Sequence, residues 1–243
     1  MAANSQYKDM AALYELMTDD YDHSKWCDFY MDIASLRRGM NVYEAGCGTG
    51  LMTRQLLKRG LKLISSDISD EMLRQAQQKS AMGQRAVFVK CDMREMESPK
   101  PVDAVICACD GVNYLTEGAE RFFLAAKKAL KKGGKLCFDI SSEYKLRNMA
   151  GQVFFDDRDE YTYMWTNSLD EETSLITMEL AFFVPDGEGK YERFDERHVQ
   201  RIYSVNEINE MLLSCGFENI EVYADQLKEP PKADSLRIHF AAW

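Results

Sequence analysis

From residue 40 onward, short apolar runs alternate with longer segments in which apolar residues recur every three or four positions. The first pattern predicts buried strands, and the second predicts helices with one apolar face. The strand-like runs are 40–44, 61–66, 86–90, 102–108 and 135–140. The helix-like segments include 51–59, 70–82 and 118–132, and each is followed by glycine. This alternation is typical of a parallel sheet covered by helices, so we predict an α/β fold with a doubly wound sheet.

The alternation stops near residue 150, where three long strand-like runs follow one another at 153–167, 172–184 and 190–203. The segments between them, SLDEE and PDGEG, are rich in the polar and glycine residues of turns. We therefore predict a three-stranded antiparallel β meander, inserted at 151–203 into a sheet domain formed by 39–150 and 204–243. Residues 1–38 are predicted to form a helical lead-in. The lead-in and the insertion are the two segments that can cover a ligand as a lid.

Charge and composition exclude several classes of protein. The 243 residues are 46% hydrophobic and 29% charged, as in ordinary globular domains. The 40 acidic residues outnumber the 30 basic ones, and the net charge of −10 disfavours nucleic acid as a partner. Because the sequence has neither a secretory signal nor an apolar run of ~18 residues, we expect a cytoplasmic protein without a membrane span. The seven cysteines and three histidines are scattered, so we expect reduced thiols and no metal site.

The segment EAGCGTG joins the first predicted strand to the helix after it. Gly46, Gly48 and Gly50 alternate there, and residues without a Cβ let the backbone turn sharply and approach a ligand closely. Loops that bind nicotinamide or flavin dinucleotides have the spacing GxGxxG, whereas this loop has GxGxG. Glu44 precedes the first glycine by two residues, and a carboxylate there would repel a pyrophosphate and suit a cationic ligand.

Acidic residues also follow the next three predicted strands, at Asp67, Asp92 and Asp110. In open α/β sheets ligands bind outside the carboxyl ends of the strands, so these side chains are expected to converge. Asp67 is placed to accept both ribose hydroxyls of an adenosine. Asp92 is placed to accept a hydrogen bond from an exocyclic amine, with Met93 against the purine ring. The alternative for Asp67 and Asp92 is a helix N-cap or turn residue, and for Asp110 it is a loop cap.

Four segments together resemble the motifs of class I S-adenosylmethionine-dependent methyltransferases. EAGCGTG resembles their motif I, SSDISDEMLRQA the second motif, KCDMREM the third and DAVICACDGVNYL the fourth. AALYELM and ERFDERHVQRIYSVNEINEMLLSCGF resemble a bacterial group of small methyltransferases found in Firmicutes. The resemblance implies a Rossmann-like sheet, S-adenosyl-L-methionine as cofactor, and methyl transfer to a small-molecule acceptor by in-line displacement.

The resemblance also implies cofactor-binding roles for individual residues. The implied set is Tyr14, Trp26, Glu44, Gly46, Gly48, Gly50, Asp67, Ile68, Met72, Asp92, Met93 and Cys109. The three glycines would line the methionine part, and Glu44 would reach its ammonium group directly or through water. Tyr14 would cover the cofactor from the N-terminal helix, with Trp26 as a second candidate. Ile68 and Met72 would lie near the adenine, and the Cys109 carbonyl would face the amino group.

On the acceptor side, Asp110 and His198 are the catalytic candidates. Strand alternation puts Glu196, His198 and Gln200 on one face, which either lines a pocket with His198 as general base or faces solvent. Tyr163 and Trp165 also share a face, which forms a substrate wall or packs against the sheet. The expected substrate-contacting residues are Asn113, Tyr114, Tyr163, Trp165 and Arg201.

The distribution of charge along the chain bears on the choice of acceptor. Residues 151–203 contain 13 acidic against 5 basic residues, which leaves 27 against 25 elsewhere. A negative lid would repel nucleic acids and anionic substrates and favour a neutral or cationic acceptor, unless those charges simply face solvent. Two other functions stay open from the residues alone: a non-catalytic S-adenosylmethionine-binding regulatory protein and a nicotinamide-dependent oxidoreductase. The sequence carries no information on the oligomeric state.

Overall fold

A computed structural model describes residues 11, 13–18, 22–80 and 86–243 of the chain. The strands in these residues are β1 Asn41–Ala45, β2 Lys62–Asp67, β3 Ala86–Lys90, β4 Val102–Cys107, β5 Leu130–Ser141, β6 Val153–Asp157, β7 Thr162–Asp170, β8 Leu175–Pro185, β9 Tyr191–Arg201, β10 Ile220–Ala224 and β11 Arg237–Ala242. The α-helices are α1 Tyr14–Met17, α2 His23–Ile33, α3 Leu51–Lys58, α4 Asp70–Lys79, α5 Ala119–Ala129, α6 Glu143–Met149 and α7 Val205–Ser214.

Seven strands form the main sheet in the order β10-β11-β5-β4-β1-β2-β3. β11 runs antiparallel to its neighbours β5 and β10, whereas β1 to β5 are parallel to one another. The chain moves outward from β1 to β3 and then returns to place β4 on the other side of β1. The prediction of a doubly wound α/β sheet is therefore confirmed, and the reversal between β1 and β4 opens a crevice at their carboxyl ends.

Apolar side chains cover both faces of this sheet. On one face, Phe122 and Phe123 of α5 pack with Phe138 of β5 and Leu212 of α7. On the other, α2 and α3 pack against the sheet in a second cluster that includes the fully buried Leu56. Burying each such side chain contributes roughly 1.5–3 kcal/mol, so the strands and helices are fixed mainly by this sandwich.

The inserted sheet has four antiparallel strands, in the order β6-β7-β8-β9. The prediction of three strands is wrong because the first predicted run, 153–167, contains a turn. The Arg158 amide donates to the Tyr161 carbonyl at 2.9 Å and closes the β6–β7 hairpin. The predicted helix 118–132 also ends early, at Ala129, because Leu130 already pairs with Val102 of β4.

The predicted helical lead-in is described in part, as α1 and α2, whereas residues 1–10, 12 and 19–21 lie outside the described residues. α1 packs against the inner face of the inserted sheet, where Tyr14 and Met17 meet Leu180 and Phe182. Glu15 of the same helix pairs with Arg54 of α3 at 3.1 Å and with Lys79 of α4 at 3.2 Å. α1 is thus held between the two sheets. In the described part of the chain, no helix is long and apolar enough to cross a membrane.

Candidate active site

A cavity lies at the carboxyl ends of β1, β2 and β4, where the sheet order reverses, and we call it the switch-point cavity. Its lining residues are Tyr14, Gly46, Gly48, Asp67, Ile68, Met72, Cys91, Asp92, Met93, Arg94, Ala108, Cys109, Gly111, Tyr114 and Leu115. The structure therefore brings together most of the residues expected to bind the cofactor. Glu44, Gly50 and Trp26 are the expected residues that do not line it.

The glycine loop opens this cavity to a ligand. Gly46 and Gly48 have φ angles of +69° and +54°, in the left-handed region that side chains disfavour. A Cβ on Gly46 would meet the methyl of Met93 at 3.4 Å, and one on Gly48 would lie 4.0 Å from the Tyr14 ring. Gly50 differs, because its missing Cβ admits Ala76 of α4 at 3.1 Å. Gly46 and Gly48 therefore form a cradle for a ligand, whereas Gly50 allows α4 to pack closely against the start of α3.

Asp67 connects the glycine loop to β2. Its carboxylate accepts hydrogen bonds from the Gly48 amide at 2.8 Å and the Ser69 amide at 2.9 Å. Burial raises the pKa of Asp67, although these amide hydrogen bonds act in the opposite direction. Each carboxylate oxygen keeps a second lone pair, so Asp67 can still accept the two hydroxyls of a ribose. With Ile68 and Met72 as apolar walls beside it, the cavity fits an adenosine ligand.

Asp92 has a partner that the sequence reasoning missed. The Arg94 guanidinium binds its carboxylate at both oxygens, with an Nη2 to Oδ2 distance of 2.5 Å, and lowers the pKa of Asp92. The Arg94 amide also donates to Asp92 at 2.9 Å, so the alternative role as a cap of the 3-10 helix Met93–Glu95 applies as well. An exocyclic amine would therefore share this carboxylate with Arg94. The DxR spacing in CDMREM was the available signal.

Glu44 is buried beneath the loop, with 2% of its surface exposed. Its Oε2 accepts hydrogen bonds from the hydroxyls of Thr53 at 2.5 Å and Ser65 at 2.7 Å. Burial raises the pKa of Glu44 to about 7 despite these hydrogen bonds. Because the carboxylate ties α3 to β2 outside the cavity lining, the structure does not place it for direct contact with an ammonium group.

A second cavity, which we call the inner-face cavity, adjoins the first under the inner face of the inserted sheet. It is lined by Tyr14, Met17, Thr18, His23, Trp26, Cys109, Asp110, Tyr114, Lys145, Tyr163, Trp165, Met178, Leu180, His198 and Arg237. Tyr14, Cys109 and Tyr114 line both cavities. Trp26 lies here rather than in the switch-point cavity, with the Arg237 guanidinium 4.8 Å from its ring.

The polar face of β9 points inward, and the alternative of a solvated outer face is wrong. Glu196, His198 and Gln200 are only 5%, 3% and 3% exposed. The His198 ring meets Tyr114 edge-on, with 5.9 Å between ring centroids. Burial lowers the pKa of His198 to about 4, so the imidazole is neutral near pH 7.

Asp110 is tethered rather than free to take a proton. Its carboxylate accepts hydrogen bonds from Gln200 Nε2 at 2.7 Å and from Arg237 Nη1 at 2.8 Å. Burial opposes ionisation, but Arg237 and Lys145 outweigh it and lower the pKa of Asp110. As a stabilised anion with both oxygens engaged, Asp110 is a poor general base, and the geometry favours His198 of the two catalytic candidates.

Asn113 and Arg201 line neither cavity. The Asn113 side chain is fully buried, donating to the Arg201 carbonyl at 2.9 Å and accepting from the Ser141 amide at 2.9 Å. The Arg201 guanidinium pairs with Glu207 at 2.5 Å and lies 4.9 Å from the Tyr203 ring. Both residues fasten the inserted sheet to the main domain, so the structure does not place them for substrate contact.

Comparison with known proteins identifies the family. The family model described as a methyltransferase domain matches residues 42–134. YqeM of Bacillus subtilis (strain 168), whose methyltransferase name is provisional and gives no substrate, is 34% identical over 97% of this chain and 96% of its own length. A crystal structure of an S-adenosylmethionine-dependent methyltransferase from Clostridium acetobutylicum ATCC 824 is 30% identical, with a TM-score of 0.86 over 97% of this chain and 98% of its own. The chain belongs to the S-adenosylmethionine-dependent methyltransferases.

The fold is shared more widely than the sequence. CalS10, an amino pentose methyltransferase from Micromonospora echinaspora, has a TM-score of 0.75 with 19% identity, over 95% of this chain and 96% of its own, in a structure with S-adenosylmethionine bound. At that identity the likeness shows the fold alone. Membership in the methyltransferase family disfavours the nicotinamide-dependent alternative and confirms S-adenosyl-L-methionine as the cofactor.

The switch-point cavity fits this cofactor. Asp67 would bind the ribose, Ile68, Met72 and Met93 would flank the adenine, and the cradle of Gly46 and Gly48 would receive the amino acid part. When bound, the cofactor supplies a sulfonium whose methyl group is already activated toward a nucleophile. The residues of the chain then have to orient the two reactants and exclude water.

The two buried histidines predict a dependence of stability on pH. Burial lowers the pKa of both His198 and His239 to about 4, below the unfolded value near 6.5. Because the unfolded chain binds these protons first, the free energy of unfolding falls as the pH drops from 6.5 toward 4. We expect a loss of about 3 kcal/mol per histidine. Urea denaturation across this range, compared with His198→Gln, measures it, and an equally steep loss in the variant would contradict the assignment to His198.

Proposed function

We propose that this enzyme transfers the methyl group of S-adenosyl-L-methionine to a small-molecule acceptor bound in the inner-face cavity. The observation that carries the proposal is that Tyr14, Cys109 and Tyr114 line both this cavity and the switch-point cavity, so the two cavities adjoin at these residues. An acceptor in the inner-face cavity would therefore lie next to a cofactor in the switch-point cavity, and in-line displacement requires the two to be in contact. The inserted sheet and α1 would act as the lid that excludes water from the reacting groups.

Aromatic side chains support a small, partly apolar acceptor. Trp26, Tyr163 and Trp165 line the inner-face cavity from two different parts of the chain, together with Met178 and Leu180 of β8. Such walls bind compact ligands through apolar and ring contacts, with a few polar groups setting the orientation. Arg237 and Asp110, which are paired with each other at 2.8 Å, supply polar groups without adding net charge.

We further propose that the acceptor atom is an amine nitrogen. Burial raises the pKa values of Tyr14 and Cys109, so both stay protonated, and Asp110 is tethered. Two histidines belong to the described lining. The pKa of His198, lowered by burial to about 4, makes it too weak to ionise an alcohol, and the His23 ring stacks on Trp26 with 6.4 Å between ring centroids. An amine that is protonated in solution first releases its ammonium proton to water, which requires no base from the chain. The neutral amine then attacks the methyl group through its lone pair and becomes an ammonium ion as S-adenosylhomocysteine leaves. CalS10, which shares the fold, is named an amino pentose methyltransferase.

The charge of the insertion agrees with an acceptor that is neutral or cationic in solution. Residues 151–203 contain 13 acidic and 5 basic residues, and many of the acidic side chains are exposed. They would attract a cationic acceptor over a long range without repelling a neutral one, and nucleic acid would be repelled. On this proposal, turnover of an amine falls as salt is raised, whereas turnover of a neutral analogue does not.

Methyl transfer to matched amines and alcohols tests the proposal. The protein is incubated with S-adenosylmethionine labelled at the methyl group and with pairs of compounds that differ only in carrying an amine or a hydroxyl. We expect labelled N-methyl products with stoichiometric S-adenosylhomocysteine, and no labelled ethers. Labelled ethers alone would overturn the nitrogen acceptor. Tight binding of S-adenosylhomocysteine without turnover across broad panels and a metabolite extract would favour the non-catalytic alternative.

Truncating the aromatic wall separates acceptor binding from cofactor binding. We expect Trp165→Ala to raise the KM for the acceptor about tenfold and to leave the Kd for S-adenosylhomocysteine within about twofold, because Trp165 lines only the inner-face cavity of the two. Phe155→Ala is the matched control, since Phe155 belongs to the same sheet but is 64% exposed. Equal effects of the two substitutions on KM would show that the inner face does not bind the acceptor.

A further inference from the structure

The turn at Cys109 and Asp110, where the two cavities adjoin, has an unusual backbone conformation. Cys109 and Asp110 follow one another with φ angles of +61° and +50°, so two residues that carry a Cβ lie consecutively in the left-handed region. Residues other than glycine disfavour this region, and a structure retains them there only when its surroundings determine the conformation. Cys109 lines both cavities and Asp110 the inner-face cavity, so the shape of this turn affects both sites.

The Asp139 carboxylate holds Cys109 and Asp110 in this left-handed conformation. Asp139 lies near the end of β5 and is fully buried. Its Oδ1 accepts a hydrogen bond from the Cys109 amide at 2.9 Å, and its Oδ2 accepts one from the Asp110 amide at 2.8 Å. Two successive backbone amides that point at one carboxylate form a small anion-binding nest, here occupied by a side chain of the protein itself.

Two further donors hold Asp139 in place. The Tyr30 hydroxyl donates to its Oδ1 at 2.6 Å, and Arg237 donates to its Oδ2. The same Arg237 nitrogen also binds Asp110 at 2.8 Å, so one guanidinium compensates two carboxylates. A carboxyl group without solvent contact needs hydrogen-bond donors for both of its oxygens, and the two turn amides, Tyr30 and Arg237 supply them.

We propose that Asp139 is a positioning residue for methyl transfer: it holds the Cys109–Asp110 turn in the conformation that both cavities require. It lines neither cavity and acts through the turn. The effect on cofactor binding rests on membership in the methyltransferase family. The effect on acceptor binding rests on the proposed function. Measurements of cofactor affinity therefore test it without any acceptor, and their failure is distinguishable from failure of the proposed function.

Asp139→Asn is the decisive variant, because it keeps the shape and replaces one acceptor oxygen with an NH2 donor. Whichever way the amide is turned, at least one of the two turn amides faces a donor. We expect the Kd for S-adenosylhomocysteine, measured by calorimetry well below the unfolding temperature, to rise about tenfold. Tyr30→Phe is the matched control, since it removes a hydrogen bond to the same carboxylate but leaves both turn amides bonded, and we expect less than about a twofold change.

Amide hydrogen exchange gives a signature that general destabilisation would not produce. In Asp139→Asn the amides of Cys109 and Asp110 should exchange faster, while those in the middle of β4 keep their protection. An unchanged Kd in Asp139→Asn, or the same loss of affinity in Tyr30→Phe, would overturn the proposal. Should Asp139→Asn not fold, the wild-type protein decides: both turn amides should be protected before any cofactor is added, and rapid exchange there would refute the positioning role.

Discussion

Replacing Gly48 with valine is expected to weaken cofactor binding by roughly 100-fold or more, the largest effect we predict for a single substitution. Gly48 has a φ of +54°, which a β-branched residue strongly disfavours. Its amide donates to Asp67 at 2.8 Å, so a shifted backbone also displaces the carboxylate expected to bind the ribose. The methyl groups would fill the space between the loop and the Tyr14 ring, 4.0 Å from the position of a Cβ.

Gly39→Val separates strain in the loop from loss of the cradle. Gly39 has a φ of +90° and nothing within 4 Å of the position of its Cβ, so valine there meets the same backbone penalty away from either cavity. We expect both variants to lose stability to urea, but only Gly48→Val to lose affinity for S-adenosylhomocysteine in calorimetry. Normal binding by Gly48→Val, or an equal loss in Gly39→Val, would show that the loop does not cradle the ligand.

The sequence was informative wherever a local pattern determines the outcome. β1 to β4 lie within a few residues of the predicted runs, because each run is bounded by a glycine or a turn. Asp67, Asp92 and Asp110 lie at one edge of the sheet for a topological reason, because parallel strands present their carboxyl ends at the same edge. Asp67 and Asp92 line the switch-point cavity, whereas Asp110 lines the inner-face cavity. The same reasoning could not show that Gly46 and Gly48 line the cavity whereas Gly50 packs against α4, because this depends on where α4 lies in the fold.

Long-range partners could not be predicted. Asp110 is bonded to Gln200, 90 residues away, and to Arg237, 127 residues away. These contacts engage both oxygens of Asp110, which was predicted as a catalytic candidate, and no local pattern encodes them. The same holds for Asn113, whose amide reaches a carbonyl 88 residues away. Roles that depend on hydrogen-bonding partners across the fold, unlike roles that depend on strand ends, require the three-dimensional structure.

These long-range hydrogen bonds, together with α1, also connect the inserted sheet to the main domain. β9 is joined to the turn after β4 through Gln200 and to the 3-10 helix Gly111–Tyr114 through Asn113. α1 bridges the inserted sheet and α3. The proposed lid is held at three places and can therefore be ordered before the acceptor arrives. Such an arrangement suits a reaction in which positioning and exclusion of water do most of the catalysis.

Asp67→Ala is expected to weaken cofactor binding by about 1–3 kcal/mol, or roughly 5- to 150-fold in Kd. The carboxylate would be lost as the acceptor for the ribose hydroxyls, and the Gly48 amide would lose its partner at 2.8 Å. Calorimetry with S-adenosylhomocysteine and with its 2′-deoxy analogue separates the two effects. Wild-type protein should prefer the ligand with the hydroxyl, and Asp67→Ala should bind both alike.

Asp103→Ala is the matched control for that experiment. Asp103 also belongs to the main sheet, accepts a hydrogen bond from the Asn41 amide at 2.8 Å and pairs with Lys131 at 2.8 Å, but it lines neither cavity. Its removal should lower the free energy of unfolding by about 1–2 kcal/mol and leave the Kd unchanged. If Asp67→Ala retained the preference for the 2′-hydroxyl, the ribose would be bound by another residue, and Asp67 would serve only to hold Gly48 and Ser69 in place.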